Sequence, residues 1–434
     1  MSIATRLASK SAFLFALRIA GAGFIFLVQA AIARVWGAAA LGDYLVVIAA
    51  ANLLAVGMPL GFQTVSTYFT AEYRSRGEGR HLRRFLAHAY GHIVVIGLIV
   101  TLFGWPVTHL LGETGEHLRP LWTPTALIAV ATAIAYVNAT VLVGLKRPLA
   151  GYLADMMFRP ALMLAGFAIV AAFSQGAQLL PMLWIVAILL LVLFAGQFGY
   201  VLMSIRDIPR GEAPRPDERR RWWRFAAPWV LIVLASDYFF DINLLLLAGL
   251  LERGDLAIFG VSTRIFALVS FGVVAVYSLT LPDMFEAEAK ADRAAMASRI
   301  GEANLVATLL ALGLFLGVLV FGRYLLLLFG EEFQTGAVPM AILCLALVVR
   351  AMFGPASLVL SMHNKPYASL PSVLLGVLTV VAGNYLLVPP YGLMGAAVAA
   401  FIAISVWSVS LWMTALVQAK VDVSIFGRFR VAAA

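Results

Sequence analysis

Arg18, Asp237, Asp241, Arg264 and Arg350 carry charge into stretches otherwise apolar enough to cross a bilayer, and Asn384 sets an amide in another. A charge near the bilayer centre costs roughly 2.5–3.5 kcal/mol on insertion scales, so each needs a physical reason to be there. Asp237 and Asp241 are four residues apart, which on one continuous helix puts both on one face. Two carboxylates so placed can bind a cation or hold a proton between them, because they resist ionising together. Alternatively, either one pairs with Arg264 or Arg350 as a structural ion pair. Asn384 adds a neutral oxygen of the kind that suits Na⁺, or else acts as interhelical glue. Arg18 lies about 9 Å into its helix, within snorkelling reach of the headgroups, or lines a cavity. Arg264 lies about 12 Å in, and Arg350 is near the middle of its span, where snorkelling is hardest. A cavity with three guanidinium groups suits a substrate bearing phosphate, because Arg forks onto phosphate oxygens. A site for cationic drugs would want carboxylates in both halves of the chain, and the first half contributes none to its spans.

The elements that must position these groups follow from composition. Of 434 residues, 62% are hydrophobic and 12% charged, with mean hydropathy +0.95; a soluble protein carries about 45–50% apolar and about 25% charged residues. The chain is therefore an integral membrane protein. Twelve stretches reach the roughly 20 apolar residues of a span, near 12–34, 44–66, 88–111, 121–145, 158–174, 181–204, 226–250, 256–281, 300–322, 336–361, 369–388 and 391–418. What remains is too short for a fused ATPase, glycosyltransferase or DNA-binding module, so the pI of 9.8 does not point to nucleic acid. The one cysteine, Cys344, excludes a disulfide framework and a cysteine-built zinc site. The basic start Met1–Lys10 leads into an apolar stretch longer than a secretory signal, which reads as a retained first helix.

Charge distribution orients the spans. The odd-numbered connections hold four Lys and Arg, whereas the termini and even-numbered connections hold twenty-four, Arg159 among them. Both termini are therefore expected in the cytoplasm. The run Arg219-Arg220-Arg221-Trp222-Trp223-Arg224 reads as positive-inside charge with a Trp belt anchoring the seventh helix, or as a patch for anionic lipid. Leu41-Gly42-Asp43-Tyr44 reappears as Arg253-Gly254-Asp255-Leu256 at an offset of 212, and Arg147-Pro148 as Lys365-Pro366 at an offset of 218. These matches predict two parallel six-helix lobes related by a pseudo-two-fold along the membrane normal, with substrate held between them. The expected organisation is an N-lobe over residues 1–205, a cytoplasmic linker over 206–225 and a C-lobe over 226–434.

No His-Glu-x-x-His, Gly-x-Ser-x-Gly or Walker pattern occurs, the six histidines fall in loops or at span ends, and nothing has metal-ligand spacing. The expectation is a protein that is not an enzyme and holds no resident cofactor or metal. A membrane-embedded polymerase or ligase is the enzyme alternative, although the longest outer loop is short for such a site.

Ala33-Arg34-Val35-Trp36-Gly37 with Gly42-Asp43-Tyr44, then Asp241, Leu244-Leu245-Leu246, Gly249, Ile258-Phe259 and Arg264, and above all Asn384-Tyr385-Leu386-Leu387-Val388-Pro389-Pro390-Tyr391-Gly392-Leu393-Met394-Gly395-Ala396-Ala397, resemble polysaccharide flippases of the Wzx type, for O-antigen or exopolysaccharide. These belong to the multidrug/oligosaccharidyl-lipid/polysaccharide exporter superfamily. Ala257 departs from the glycine the family often has there, and Arg18 stands on the helix where multidrug members place an acidic residue. Lipid II flippases typically add two helices, for which this chain has no room. The resemblance implies translocation of an undecaprenyl-diphosphate-linked oligosaccharide to the outer leaflet of a bacterial inner membrane by alternating access, with no nucleotide. Arg18, Arg264 and Arg350 would engage the diphosphate. Asp241, Asn384 and, more weakly, Asp237 would hold a coupling Na⁺ or H⁺, by likeness to flippases with a cation site on helices seven, eleven and twelve. Membrane lipids, a polysaccharide polymerase and other pathway proteins are the expected partners. A drug or metabolite antiporter of the same superfamily is the runner-up.

Overall fold

The computed structural model describes residues 3–173, 176, 178–211, 217–289, 293–363 and 365–427; Arg215, Lys290, Arg428 and Arg430, counted above among the cytoplasmic cations, lie outside them. Every regular element among the described residues is helical. In chain order these are α1 (Ile3–Gly57), α2 (Phe62–Arg76), α3 (Gly79–Val107), α4 (Gly112–Leu118) and α5 (Trp122–Gly144). Then come α6 (Pro148–Phe173), α7 (Leu179–Ser204), α8 (Glu218–Asp237), α9 (Phe239–Leu247) and α10 (Arg253–Ala289). The last are α11 (Arg293–Leu326), α12 (Ala337–Phe353), α13 (Ala356–Met362) and α14 (Leu370–Gln418).

Among the described residues, eight segments are long and apolar enough to cross a membrane, or nine if the bent pair α8–α9 is one span, so the chain is an all-α polytopic membrane protein. Three of these segments, Ala16–Gly57, Gly79–Gly144 and Tyr367–Gln418, run to 42, 66 and 52 residues, far beyond the roughly 20 a bilayer needs. Each contains an internal break. Gly37 (φ 88°) interrupts α1 and Gly392 (φ 51°) interrupts α14, in conformations that a Cβ disfavours. Short turns over Thr108–Leu121 separate α3 from α5.

The chain forms two compact units, Met1–Leu245 and Leu246–Ala434. In the first, α5 is central and packs against α1, α2, α3 and α7. Its fully buried Ala126, Ala129, Ala131 and Ala133 let these neighbours approach closely. In the second, α12 takes the same role against α10, α11 and α14, with Met340, Leu343, Cys344 and Ala346 fully buried. The repeat read from sequence is also visible in the backbone. Arg147 (φ −120°, ψ 55°) and Lys365 (φ −124°, ψ 49°) cap their helices in nearly the same conformation, each with proline next. Proline suits that first helical position because its missing N–H has no helical partner there anyway.

After α14 the chain folds back on the second unit. Val423 and Ser424 are fully buried. The Asn304 amide donates to the Val423 carbonyl, and the Ile425 N–H donates to the Met352 carbonyl at 2.8 Å. Asp422 accepts from the Trp412 indole at 2.9 Å and from the Ser424 hydroxyl at 2.7 Å. This strap lies beneath the break between α12 and α13 at Gly354 (φ 75°), where a Cβ would come 1.9 Å from the Val423 oxygen.

Two span boundaries differ from the sequence reading. The fifth span does not start near 158: Lys146 takes a left-handed turn and Pro148 opens the helix at once, so Asp155 and Arg159 lie within it. The first half therefore does place a carboxylate in a span, and Arg159 is not a loop cation. The seventh helix starts at Glu218, and it breaks at Tyr238 with a 64° bend.

Candidate functional site

In the first unit, polar groups from four helices converge on the break between α8 and α9. Within α6 the helix widens to a π turn over Ala154–Phe158, in which the Arg159 N–H donates to the Ala154 carbonyl. Such turns are frequent at functional sites. Pro160 offers no N–H to the Met156 carbonyl, and Gly21 of α1 sits so close that a Cβ would come 1.8 Å from that oxygen. Arg159 pairs with Asp155 at 3.1 Å, with only 12% of the Arg159 side chain exposed. Its Nη2 donates to Asn52 Oδ1 at 3.2 Å, and Asn52 Nδ2 donates to Asp241 Oδ1 at 3.3 Å. Tyr136 of α5 lies beside Arg159 and accepts from the Tyr238 hydroxyl at 2.8 Å. One guanidinium thus reaches Asp241 through Asn52 and neighbours the Tyr136–Tyr238 pair at the break.

The six residues singled out from sequence divide evenly between the units. Arg18, Asp237 and Asp241 lie in the first, and Arg264, Arg350 and Asn384 in the second. Asp237 and Asp241 do not share a helical face: Asp237 ends α8, Asp241 stands in the first turn of α9, and the bend separates them. Asp237 is exposed and Asp241 half-buried. Arg18 is exposed on α1. Arg264, half-buried on α10, has its Nε enclosed without a hydrogen-bond partner among the described residues. Arg350 near the end of α12 is exposed, its Cζ 5.2 Å from the centre of the Trp407 ring, and its carbonyl accepts from the Gly354 N–H at 3.2 Å. Asn384 is fully buried in α14.

Sequence reasoning missed Asn52, Asp155 and Arg159. The available signal was the Asp155/Arg159 pair at helical spacing, directly after a proline that starts a helix. Two further readings change. Trp222 is not a belt residue: it is fully buried, donates to the Tyr73 hydroxyl at 2.7 Å, and packs edge-on against Phe85. Arg221 beside it pairs with Glu72 of α2 at 2.8 Å rather than standing free for lipid. The start of α8 is thus docked on protein. His88 and His92 lie within α3, against Trp222 and Trp223. Among the described residues, no group of three or more His, Cys, Asp or Glu could hold a metal ion.

No family model and no curated protein matches the chain. Solved structures do match over nearly its whole length. An inward-facing multidrug resistance MATE transporter of the MOP superfamily superposes with TM-score 0.73 at 17% identity, covering 97% of this chain and 94% of that one. The lipid II flippase MurJ, in an inward closed conformation, gives TM-score 0.77 at 13% identity over 97% and 90%. A MOP superfamily transporter from Pyrococcus furiosus, described as having a binding pocket of reversed polarity, gives 0.62 at 15% identity over 97% and 94%. At such identities the likeness establishes the fold: this chain is folded like the MOP superfamily transporters.

Proposed function

We propose that the protein is a flippase that carries an undecaprenyl-diphosphate-linked oligosaccharide from the cytoplasmic to the outer leaflet of a bacterial inner membrane. The observation that carries this reading is the fold likeness to a lipid flippase, combined with Arg18 on the helix where multidrug relatives are expected to carry an acidic residue. Arg264 supports it best, since its enclosed Nε has no protein acceptor among the described residues and so keeps a donor for phosphate. Arg18 and Arg350 complete the proposed diphosphate set. Each of the three overlong segments counts as two spans in this reading, which brings nine to twelve. The twelve make an N-lobe over 1–205, a linker over 206–225 and a C-lobe over 226–434, with both termini cytoplasmic. The cycle is alternating access driven by a Na⁺ or H⁺ gradient or by the membrane potential, with Asp241 and Asn384 as the principal cation ligands and Asp237 as a weaker one. A single charge crossing the field contributes about 2.3 kcal/mol per 100 mV, enough to bias a two-state transporter. A polysaccharide polymerase is the natural recipient of the product.

The test is mass spectrometry of undecaprenyl-diphosphate glycans in cells lacking the gene, with a leaflet-accessibility probe. Complete repeat units trapped facing the cytoplasm support flipping and give the substrate's mass; units trapped facing outward point to a downstream polymerase or ligase. The fold likeness to a multidrug transporter favours one second reading, a cation-coupled antiporter. Absence of any trapped glycan, with a changed drug-resistance profile, would establish that reading instead.

A further inference from the structure

Arg159 can only donate hydrogen bonds, and an ionised Asp241 can only accept them. Asn52 lies between the two, 3.2 Å from the first and 3.3 Å from the second. Its amide therefore has one satisfied orientation, with Oδ1 toward the guanidinium and Nδ2 toward the carboxylate. The opposite orientation would set N–H against N–H and oxygen against oxygen. Asp155 at 3.1 Å holds the guanidinium in place. Tyr238 at the break also faces Asp241, and Asp155 and Tyr136 face Arg159. A cation reaching Asp241 Oδ1 must displace an amide donor that Arg159 keeps aimed at that oxygen.

We infer that Arg159 is a positioning residue: acting through Asn52, it holds a hydrogen-bond donor against Asp241 and so weakens that carboxylate's grip on the coupling cation, allowing the ion to exchange within a transport cycle. This rests on the reading of Asp241 as a cation ligand. The sign of the effect is unusual and therefore diagnostic. Removing the guanidinium frees Asn52 to turn its oxygen toward Asp241 and join it as a second ligand, so the cation binds more tightly. Removing the amide takes away one donor that competes with the cation for Asp241 Oδ1, with the same direction of change. Loss of a merely structural contact would weaken binding or unfold the site.

The experiment is hydrogen exchange of the full-length protein in nanodiscs of phosphatidylethanolamine and phosphatidylglycerol, following peptides across the break at Tyr238. NaCl is titrated against choline chloride at constant ionic strength, and pH is titrated without Na⁺. Arg159→Met and Asn52→Leu should each lower the half-effect concentration of Na⁺ or of protons by roughly tenfold, the scale of one hydrogen bond to a charged group. Arg159→Lys, which still donates to Asn52, should stay near wild type. Asn52→Leu is close in volume and leaves the Asp155–Arg159 pair in place, so it serves if Arg159→Met fails to fold. A wild-type response that disappears in Asp241→Asn but is unshifted or weakened in these variants would overturn the role of Arg159 and leave the cation reading standing. A wild type that responds to neither ion would overturn the cation reading, and this inference with it.

Discussion

Arg350 shows how much one side chain's surroundings add to its type. Its guanidinium lies over the Trp407 ring, a contact worth about 0.5–2 kcal/mol depending on how dry the site is. Arg350→Ala is expected to abolish flipping while the protein remains at wild-type abundance, read by immunoblot beside the glycan assay. Loss of the protein itself would make Arg350 a structural residue. Trp407→Leu should reduce flipping less, since the cation remains and only its support goes. For Asp241, replacement by Asn is expected to remove dependence on Na⁺ or pH in a reconstituted flipping assay; unchanged coupling would exclude it as the ion ligand. The charged residues were legible in the sequence because a cation in an apolar run stands out. Asn52 was not, because a single amide in a span is common, and its meaning comes only from what lies on either side of it. The indole of Trp222 was misread for a related reason: composition cannot tell a Trp that meets lipid from one that meets Tyr73 and Phe85.

At the level of elements, helix class follows directly from hydropathy, and the Arg147-Pro148 and Lys365-Pro366 starts follow from local chemistry. The breaks were harder to see. An averaging window passes over Tyr238 because its neighbours are apolar on both sides, and it trims Asp155 from the fifth span because a carboxylate lowers its mean. The close approach of α1 to the π turn of α6 gives a stability test. Gly21→Val should be overpacked by about 1–3 kcal/mol, because even its Cβ would collide with the Met156 carbonyl, which belongs to backbone and cannot swing away. Gly23→Val, two residues on with open space around it, is the matched control. Thermal unfolding in detergent followed by intrinsic fluorescence should show a lowered midpoint for the first substitution and little change for the second.

For the molecule as a whole, the asymmetry of Lys and Arg predicts cytoplasmic termini, and the two repeat anchors predict two six-helix lobes. Fusion reporters check the orientation: a C-terminal green fluorescent protein should fluoresce and a C-terminal alkaline phosphatase should be inactive, the reverse pattern placing that end outside. One property was not legible at any window size. The sequence halves part within 206–225, whereas the compact units part after Leu245, so helix α8 and nearly all of α9 pack with the half that precedes them. Hydropathy and charge describe each span's relation to the bilayer, and only side-chain contacts such as Trp222 to Tyr73 and Asn52 to Asp241 describe which neighbours it chooses.

The strap beneath the α12–α13 break has a consequence for how the protein is made. Asp422, Val423 and Ile425 come after α14 in the chain, yet the Met352 carbonyl and the Asn304 amide, made earlier, take Ile425 and Val423 as partners. A nascent chain therefore carries the α12–α13 break without these partners until synthesis has passed Ile425. Chains stalled or cut short at Gln418 would have α14 complete and still leave that break open to membrane quality-control proteases.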